Sequence, residues 1–480
     1  MERLQPSIQE RARVVFFVPR WLPSEWNAVG LPYRVFPVLS SLAHCGVAVD
    51  LFTEAHDGID AGALSRSLEG AVAAVVWCAE LNPGIQIAGM IRALETMRAA
   101  APSVWRVAGG GFHALFPRGL EMRDLADVVV PGEDIAALSR VLCERLGVEM
   151  PPAASRYDAY AAMQLDLSSF IRIEPMIFDN RVRSLQLPTG YGCAKRCRFC
   201  FYERTKVQLL PGKDIAALMA RCVERYGVSQ FLLGELDFFT SVSRVRQMAT
   251  AILERGLDVR WFALVSVQDA LALTDADLDL VARSGAAVLE MGTEVGSDHA
   301  LRTIGKSFSR DDPVRASKRF LARGIVPLHN IIFGYVGETR ADRHATVGIV
   351  RRLKALSPRV RFNFRVFQPT PTTTMGEEAF AHLDAVPTSL KGLMEYRYTT
   401  GRALPWLEMG AEEEIRFLVD YLLPLGFDDA FLRGKTPSPA RLVFRAVARG
   451  RARANAYRWP VDRSLFRKVE SIGLPTTFLP

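Results

Sequence analysis

The amino-acid sequence predicts an α/β protein built from two successive parallel sheets: a doubly wound sheet, then a partial (β/α)6 barrel. Apolar runs alternate with helical patterns through the first 150 residues, and a second alternation starts near residue 184. The length of 480 residues, with 49% hydrophobic and 23% charged residues, suits a globular protein of several domains.

The first alternation contains five short apolar runs that are typical of buried parallel strands. The predicted strands are Val14–Val18, Val47–Phe52, Ala74–Trp77, Arg106–Ala108 and Asp127–Val130. Helical patterns lie near Tyr33–His44, Ala61–Leu68, Ile85–Ala99 and Asp134–Leu146. We therefore predict a Rossmann-like domain over residues 1–150. A sheet of this kind binds ligands beyond the carboxyl ends of its strands.

The second alternation predicts six βα units, which suggests a parallel sheet curled into a partial barrel. The predicted strands are Ser184–Leu187, Gln230–Leu233, Arg260–Leu264, Val288–Gly292, Val326–Phe333 and Arg361–Val366. The predicted helices are Asp214–Arg225, Val242–Glu254, Thr274–Ser284, Pro313–Arg323 and Arg340–Leu356. We assign residues 151–183 to a linker, 184–400 to the barrel and 401–480 to a helical, basic C-terminal region.

The net charge of +8 owes much to arginines near the C-terminus. A solvated basic helix is the ordinary explanation, and a docking surface for an acidic partner or an anionic membrane is the alternative. No nucleic-acid recognition motif is present, so no nucleic-acid partner is expected. The sequence contains no run of about 18 apolar residues, so no membrane-spanning helix is predicted. The N-terminus lacks the apolar core of a secretory signal, so we expect a cytoplasmic enzyme.

Three of the seven cysteines, Cys193, Cys197 and Cys200, fall within eight residues. Thiolates are soft ligands that suit iron–sulfur clusters or zinc. Structural zinc needs four ligands, and no fourth cysteine or histidine stands at a short spacing. Three thiolates on a four-iron cluster would leave one iron open to a small molecule, as catalysis requires. The other four cysteines, Cys45, Cys78, Cys143 and Cys222, lie in patterns typical of structural positions.

The spacing C-x-x-x-C-x-x-C, with Phe199 before the last cysteine, resembles the signature of the radical S-adenosylmethionine (radical SAM) superfamily. Further segments resemble that family in the same order over residues 184–375. These segments are Gly234–Phe238, Arg260–Ala263, Met291–Asp298 followed by Leu301 and Lys306, and Phe333–Thr339.

The resemblance implies that Cys193, Cys197 and Cys200 hold a [4Fe–4S] cluster whose fourth iron binds S-adenosylmethionine. Reductive cleavage would give a 5′-deoxyadenosyl radical that abstracts hydrogen from the substrate. The implied cofactor contacts are Phe199 near the adenine, Gly234 with Glu235 or Asp237 near the methionine amine, Glu294 near the ribose, and the Gly334 and Gly337 backbone near the adenine. A small-molecule or carrier-bound substrate and an external one-electron reductant, such as a flavodoxin or ferredoxin, are the implied partners.

The first domain resembles the cobalamin-binding branch of that superfamily through Gly109, Gly110 and Gly111, in the segment Ala108–His113, and through Pro131–Asp134. This resemblance implies a cobalamin cofactor and methylation of a carbon in a biosynthetic intermediate. The cobalt-ligating pattern D-x-H-x-x-G is missing after the first strand, and Glu54–Gly58 is a near miss that we interpret as a surface turn.

Two alternatives remain open. In the first, the N-terminal domain is a vestigial scaffold, and the enzyme performs cobalamin-independent dehydration, dehydrogenation or cyclisation. In the second, the protein is a non-enzymatic binding module stabilised by a metal. The segment Gln368–Thr372 replaces the turn that this family commonly has after strand six, so the substrate end of the barrel is not defined by resemblance.

Overall fold

The structure is a computed structural model that describes most of the 480-residue chain. The described residues are 12–19, 35–53, 61–78, 83–110, 124–130, 135–149, 163–200, 206–369, 373–382, 404–428, 439–458 and 461–469.

The first sheet contains five parallel strands in the order β2-β1-β3-β4-β5. The strands are β1 (Arg13–Val18), β2 (Ala48–Thr53), β3 (Ala71–Cys78), β4 (Trp105–Gly110) and β5 (Val128–Val130). The helices are Phe36–His44, Ala61–Ser67, Pro83–Ala100 and Ile135–Leu146. Both faces of β1 are buried, with Val14 and Phe16 in one apolar cluster and Val15 and Phe17 in another. The predicted doubly wound sheet is therefore confirmed, and its strand order reverses between β1 and β3, where such sheets bind ligands.

The second sheet contains seven strands in the order β14-β13-β12-β11-β10-β7-β6. The strands are β6 (Ile171–Ile173), β7 (Arg183–Pro188), β10 (Gln230–Gly234), β11 (Arg260–Val265), β12 (Ala286–Glu294), β13 (Val326–Phe333) and β14 (Arg361–Val366). A separate two-stranded pair comprises β8 (Gly190–Tyr191) and β9 (Gln208–Leu209). Six strands of this sheet, β7 and β10 to β14, are parallel, which confirms the predicted half-barrel.

Eight helices in the described part of the chain connect or follow the barrel strands. They are Gly212–Tyr226, Val242–Glu254, Val267–Ala272, Asp275–Arg283, Asp298–Thr303, Asp312–Leu321, Arg340–Leu356 and Thr374–Phe380. The predicted start signal is confirmed, because Thr274 and Asp277 form a reciprocal capping box. Five of these helices lie where helical spacing predicted them. The helices Val267–Ala272, Asp298–Thr303 and Thr374–Phe380 were not predicted, since six or seven residues are too few to show a helical period.

The segment predicted as a linker closes the amino end of the barrel. It contains a 3₁₀ turn (Ser168–Phe170), the antiparallel strand β6 and a short helix, Pro175–Phe178. Arg361 donates to the Ile177 carbonyl at 2.5 Å, and Phe178 packs against apolar side chains inside the amino end of the barrel. Elements of three or four residues fall below the length at which periodicity identifies them, which is why the sequence did not predict this closure.

The C-terminal helices pack against the last two barrel strands and bury an apolar core with them. They are Ala411–Phe417, Leu423–Phe427, Pro439–Ala454 and Val461–Val469, with a π-helical turn at Leu418–Leu422. Some of the basic side chains tie this region together: Arg449 donates to the Gly426 carbonyl, and Arg451 pairs with Asp462. Among the described helices, none has both the length and the apolar character to cross a membrane.

The scattered cysteines occupy structural positions where the structure describes them. Cys143 and Cys222 are buried, and burial raises the pKa of Cys222 to about 12. Cys45 is half-buried, with its Sγ 3.8 Å from the Glu149 carbonyl oxygen. Cys78 ends β3, and its side chain lies outside the described residues.

Candidate active site

The three clustered cysteines lie on a loop at the carboxyl end of β7. The antiparallel pairing of β8 with β9 closes this cysteine loop, which runs from residue 192 to residue 207. Gly192 has φ +87°, and a Cβ there would stand 2.2 Å from the Lys206 carbonyl oxygen. Glycine is therefore required at the neck of the loop. Residues 201–205 lie outside the described part of the chain.

The cysteine loop docks on the segment that follows β12. The Arg198 amide donates to the Ile304 carbonyl at 3.1 Å, and Arg198 Nη1 donates to the Thr303 carbonyl at 2.8 Å. A Cβ on Gly305 would stand 2.6 Å from the Arg196 carbonyl oxygen, so glycine permits this close approach. The cysteines are thereby fixed beside Lys306.

The three thiols are half-buried, and the Cys200 amide donates to the Cys197 carbonyl at 3.0 Å. Burial raises the pKa of Cys193, and the charges of Asp237 and Cys197 raise it further. Burial alone would lower the pKa of Lys306, but Glu294, Cys197 and Cys200 together raise it above its usual value. Lys306 is thus a cation placed where thiolates would gain from positive charge.

The thiols of the cysteine loop suit an iron–sulfur cluster better than a single metal ion. Within the described residues, no three His, Cys, Asp or Glu side chains surround one point closely enough to hold a single ion. A single ion needs its ligands around one centre, whereas a four-iron cluster takes each thiolate on a different iron. Three thiols on one closed loop, with an ammonium beside two of them, fit the cluster.

Glu235 follows β10 and reaches the base of the cysteine loop. Its Oε2 accepts hydrogen bonds from Thr189 Oγ1 at 3.0 Å and from Arg244 Nη2 at 2.7 Å. Its Oε1 is buried without a hydrogen-bond partner among the described residues. A Cβ on Gly190 would stand 2.4 Å from that oxygen. Protein donors thus bind Oε2 of Glu235, whereas Oε1 has no hydrogen-bond partner among the described residues and could accept a hydrogen bond from a ligand.

Arg244 is a site residue that the sequence did not reveal. Its Nε donates to the Leu210 carbonyl at 2.5 Å, and its Nη2 donates to the Thr189 carbonyl at 2.9 Å. Leu210 and Thr189 flank the cysteine loop on its two sides. Arg244 therefore ties both ends of the loop to Glu235. No local pattern distinguishes this arginine from others on the helix, because its partners lie far away in the chain.

Asp237 belongs to a second charged group beside the loop. Its Oδ1 accepts from the Ser266 amide at 3.2 Å, and its Oδ2 lies 3.5 Å from Lys195 Nζ. Lys195, between the first two cysteines, also lies 2.7 Å from Asp269 Oδ2. Burial and the neighbouring Asp269 carboxyl raise the pKa of Asp237 to about 7. Lys195 and Asp269 were not predicted as site residues.

Glu294 ends β12 in a strained backbone conformation. Its φ is +63°, a region that non-glycine residues rarely occupy, and the strand register shifts just before it. Its Oε1 lies 3.4 Å from Lys306 Nζ, and its Oε2 is buried with no hydrogen-bond partner in the described structure. A Cβ on Gly292 would stand 2.6 Å from Glu294 Oε1. Backbone strain and a buried oxygen without a partner are features found at functional sites, and the role of Glu294 in ligand binding stays a prediction.

Phe199 and the predicted glycines lie around the same end of the barrel. The Lys306 Nζ is 5.8 Å from the centre of the Phe199 ring. Gly334 and Gly337 have φ +80° and +81°, which favours glycine at both positions. The Gly334 amide donates to Glu338 Oε2 at 3.1 Å, and its carbonyl accepts from Trp406 Nε1 at 2.8 Å. Because both polar groups already have protein partners, contact of Gly334 with adenine stays a prediction.

The first sheet shows only part of its predicted site. A Cβ on Gly109 would stand 2.7 Å from the Trp77 ring, so packing within the sheet accounts for this glycine. Gly110, at the end of β4, has φ +117° and needs glycine for its backbone. The other predicted features lie outside the described residues: Gly111 with Phe112 and His113, Pro131–Asp134, Glu54–Gly58, and positions 370–372.

Comparisons with known proteins find similarity to the second sheet. Residues 187–350 match the sequence model of the Radical SAM superfamily. An uncharacterized methyltransferase from Pyrococcus horikoshii is 23% identical over 197 residues, which cover 40% of this chain and 41% of the relative. A tRNA-2-methylthio-N(6)-dimethylallyladenosine synthase from Sorangium cellulosum is 24% identical over 288 residues, 53% of this chain and 56% of the relative. The chain thus spans about half the length of these curated relatives.

Two solved structures resemble this chain over about four-fifths of its length. The radical S-adenosylmethionine methyltransferase TsrM from Kitasatospora setae, with cobalamin and a [4Fe–4S] cluster bound, aligns with a TM-score of 0.57. That alignment covers 78% of this chain and 80% of TsrM at 16% identity. The cobalamin-dependent radical enzyme OxsB, with aqua-cobalamin and S-adenosylmethionine bound, aligns with a TM-score of 0.54 at 13% identity, over 81% of this chain and 57% of OxsB. These likenesses show a shared fold.

Proposed function

We propose that this chain is a radical SAM enzyme that uses S-adenosylmethionine and cobalamin to methylate a carbon of its substrate. Residues 187–350 match the model of that superfamily. One observation carries the proposal. A parallel sheet of order β2-β1-β3-β4-β5 precedes a half-barrel bearing the cysteine loop. TsrM and OxsB share this fold, and their structures contain cobalamin. The Pyrococcus horikoshii relative is named as a methyltransferase.

Cys193, Cys197 and Cys200 would hold a [4Fe–4S] cluster. When bound, the cluster would supply the electron that cleaves S-adenosylmethionine to methionine and a 5′-deoxyadenosyl radical, which abstracts hydrogen from the substrate. Lys306 would offset the negative charge of the thiolates, because it lies beside Cys197 and Cys200. An external one-electron reductant, such as a flavodoxin or ferredoxin, would complete the system.

Two carboxyl groups would orient S-adenosylmethionine across the barrel. Glu235 or Asp237 would receive the methionine ammonium, since each keeps a buried oxygen that accepts no hydrogen bond from the described residues. Glu294 would receive the ribose hydroxyls through its open Oε2. A buried acceptor gains most from a ligand that supplies the missing donor. Phe199 would flank the adenine.

Cobalamin would lie between the carboxyl edge of the first sheet and the mouth of the barrel. When bound, it would supply the methyl group that the substrate carbon receives. Gly110 supports this assignment, because its φ of +117° allows a bend that other residues would resist at the sheet edge. Gly111 is proposed from its position in the sequence. Gly109 is assigned to packing against Trp77.

The experiment is anaerobic reconstitution with iron, sulfide and hydroxocobalamin, followed by desalting and an absorbance spectrum. The proposal predicts an iron–sulfur band together with about one retained corrinoid per chain. Cys197→Ala should lose the iron–sulfur band and keep the corrinoid, because the two groups would occupy different sheets.

Retention of the cluster without corrinoid would instead favour cobalamin-independent dehydration or oxidation. Two observations support this second candidate: the packing of Gly109 against Trp77 and the missing D-x-H-x-x-G pattern. Loss of both chromophores from the wild-type protein would contradict either reading.

A further inference from the structure

A row of polar side chains lines the interior of the half-barrel. Along β13, His329, Ile331 and Phe333 are buried toward the helices, whereas the alternate residues Asn330 and Ile332 are half-buried. Side chains of a strand alternate between its two faces, so Asn330 faces the interior. Asn363 is paired with Asn330 across the strands and faces the same side.

Hydrogen bonds connect this row across three strands. Asn330 Nδ2 donates to Glu290 Oε1 at 2.6 Å, and Asn363 Nδ2 donates to Asn330 Oδ1 at 3.1 Å. These hydrogen bonds fix the orientations of both side-chain amides: Asn363 orients Asn330, and Asn330 orients Glu290. Glu290 on β12 is the acceptor at the end of the chain. Burial raises the pKa of Glu290, and its Asn330 partner and the charge of Arg365 oppose that shift.

Arg365 lies two residues beyond Asn363 on the same face, next to the end of β14. Its side chain is exposed to solvent, yet burial lowers its pKa. The adjacent Phe364 and Val366 are buried on the opposite face of the strand, so Arg365 faces the solvent-accessible interior of the half-barrel. The guanidinium makes no hydrogen bond, and no ion pair within 4.0 Å, with any residue in the described part of the chain. Its charged neighbour is Glu290.

The interior opens toward the cysteine loop. Its amino end is closed by an apolar cluster that includes Phe178, Leu232 and Phe262. The polar row stands above this floor, and Arg365 is the member closest to the carboxyl end of its strand. The negative charge of Glu294 raises the pKa of Glu290, so the polar row lies near the proposed cofactor end of the barrel.

We propose that Arg365 and Glu290 form the substrate-recognition site, with an anionic oxygen group bound at Arg365 and an amine or other hydrogen-bond donor at Glu290. The proposed substrate thus carries a carboxylate or phosphate group with a hydrogen-bond donor close to it. Guanidinium binds such oxygens through two parallel N–H donors, and the Asn330–Asn363 pair holds Glu290 in place. This inference rests on the proposed function, which supplies the reaction at the open end of the interior.

The test measures binding of three simple probes to the reconstituted protein by ligand-observed NMR. Propionate carries the anion alone, alanine adds an ammonium group to it, and inorganic phosphate distinguishes a phosphate site from a carboxylate site. Arg365→Gln should weaken every probe that the wild type binds by about tenfold, the usual loss for a charge-assisted hydrogen bond. Arg302→Gln, which changes an exposed arginine on a barrel helix, should leave binding unchanged.

Glu290→Gln gives a sharper criterion because its effects should have opposite signs. The amide oxygen can still accept from Asn330, but the negative charge that competes with an incoming anion is gone. Propionate should bind more tightly, and alanine more weakly, than to the wild type. This comparison stands even if Arg365→Gln fails to fold, which its melting temperature would report.

Equal binding to wild type and Arg365→Gln would overturn the proposal, as would the absence of binding of all three probes to the wild type. The iron–sulfur absorbance of the same samples separates this result from the proposed function. Binding through Arg365 in a protein that assembles no cluster would retain the recognition site and defeat the proposed reaction.

Discussion

Arg244 Nη2 lies 2.7 Å from Glu235 Oε2, and both side chains are buried at the base of the cysteine loop. The same guanidinium binds carbonyls on both sides of the loop, at Thr189 and Leu210. The pair thus fixes the loop closure and one oxygen of the acid at once. The other oxygen, Oε1, is buried without a hydrogen-bond partner among the described residues.

Arg244→Gln should disrupt the cysteine loop. The change leaves a buried carboxylate without its cation, which costs about 3–5 kcal/mol in comparable pairs. We expect a lower melting temperature and severalfold less iron retained after reconstitution. Arg302→Gln, at an exposed position, is the matched control and should behave as wild type. Full iron retention by Arg244→Gln would refute the role assigned to this arginine.

Gly192→Ala should prevent closure of the same loop. The added Cβ would stand 2.2 Å from a backbone oxygen, in a conformation with φ +87°. Gly227→Ala is the control, because Gly227 also has positive φ, +62°, but nothing lies within 4 Å of its added Cβ. We expect Gly227→Ala to cost about 1 kcal/mol and to retain iron, since only backbone strain is added. Equal iron contents for the two variants would show that the neck of the loop tolerates a side chain.

Gly292→Ala should weaken binding of S-adenosylmethionine. Its Cβ would stand 2.6 Å from Glu294 Oε1 and 2.9 Å from Lys306 Nζ, so the ion pair must move. We expect about tenfold weaker binding, by equilibrium dialysis of the reconstituted protein, if one charge-assisted contact is lost. Gly348→Ala, where the added Cβ meets nothing within 4 Å, should leave affinity unchanged. Wild-type affinity in Gly292→Ala would separate the Glu294–Lys306 pair from cofactor binding.

His329 should make the barrel less stable at acidic pH. It is fully buried between Thr293 and Ser317, and burial lowers its pKa from 6.5 to about 3. Below pH 6.5 the unfolded chain protonates this histidine, whereas the folded chain keeps it neutral. The free energy of unfolding therefore falls as the pH drops below 6.5. The loss reaches about 1 kcal/mol at pH 5.5.

Melting temperatures at pH 7.5, 6.5 and 5.5 test this titration. The wild type should lose stability toward pH 5.5 more steeply than His329→Gln, which lacks the titrating ring. His382→Gln, at an exposed position, should keep the wild-type slope. Parallel curves for all three proteins would mean that the acid sensitivity originates elsewhere.

The sequence predicted the strands and helices that are determined by patterns within one short segment of the chain. Apolar runs located all five strands of the first sheet and the six parallel barrel strands, and Thr274 with Asp277 marked a helix start. It did not predict β6, which is three residues long, or the closure of the barrel by Phe178. Those features depend on which distant segments meet.

The same division applies to the site. The cysteine spacing and the acids after the strands were visible in the chain, because each belongs to one short segment. Arg244, Lys195 with Asp269, and Arg365 were not visible, since their roles arise from partners or strand register far away in sequence. The positive φ of Glu294 was equally hidden, because it depends on a register shift between β12 and β13.

Formation of 5′-deoxyadenosine from S-adenosylmethionine, under anaerobic reduction, tests the assignment of the cluster cysteines. The reconstituted wild type should form this product, and Cys197→Ala should form none. Cys143→Ala removes a buried cysteine of the first domain and should retain the activity. Product formation by Cys197→Ala at the wild-type rate, or its absence from the wild type, would contradict a catalytic cluster on Cys193, Cys197 and Cys200.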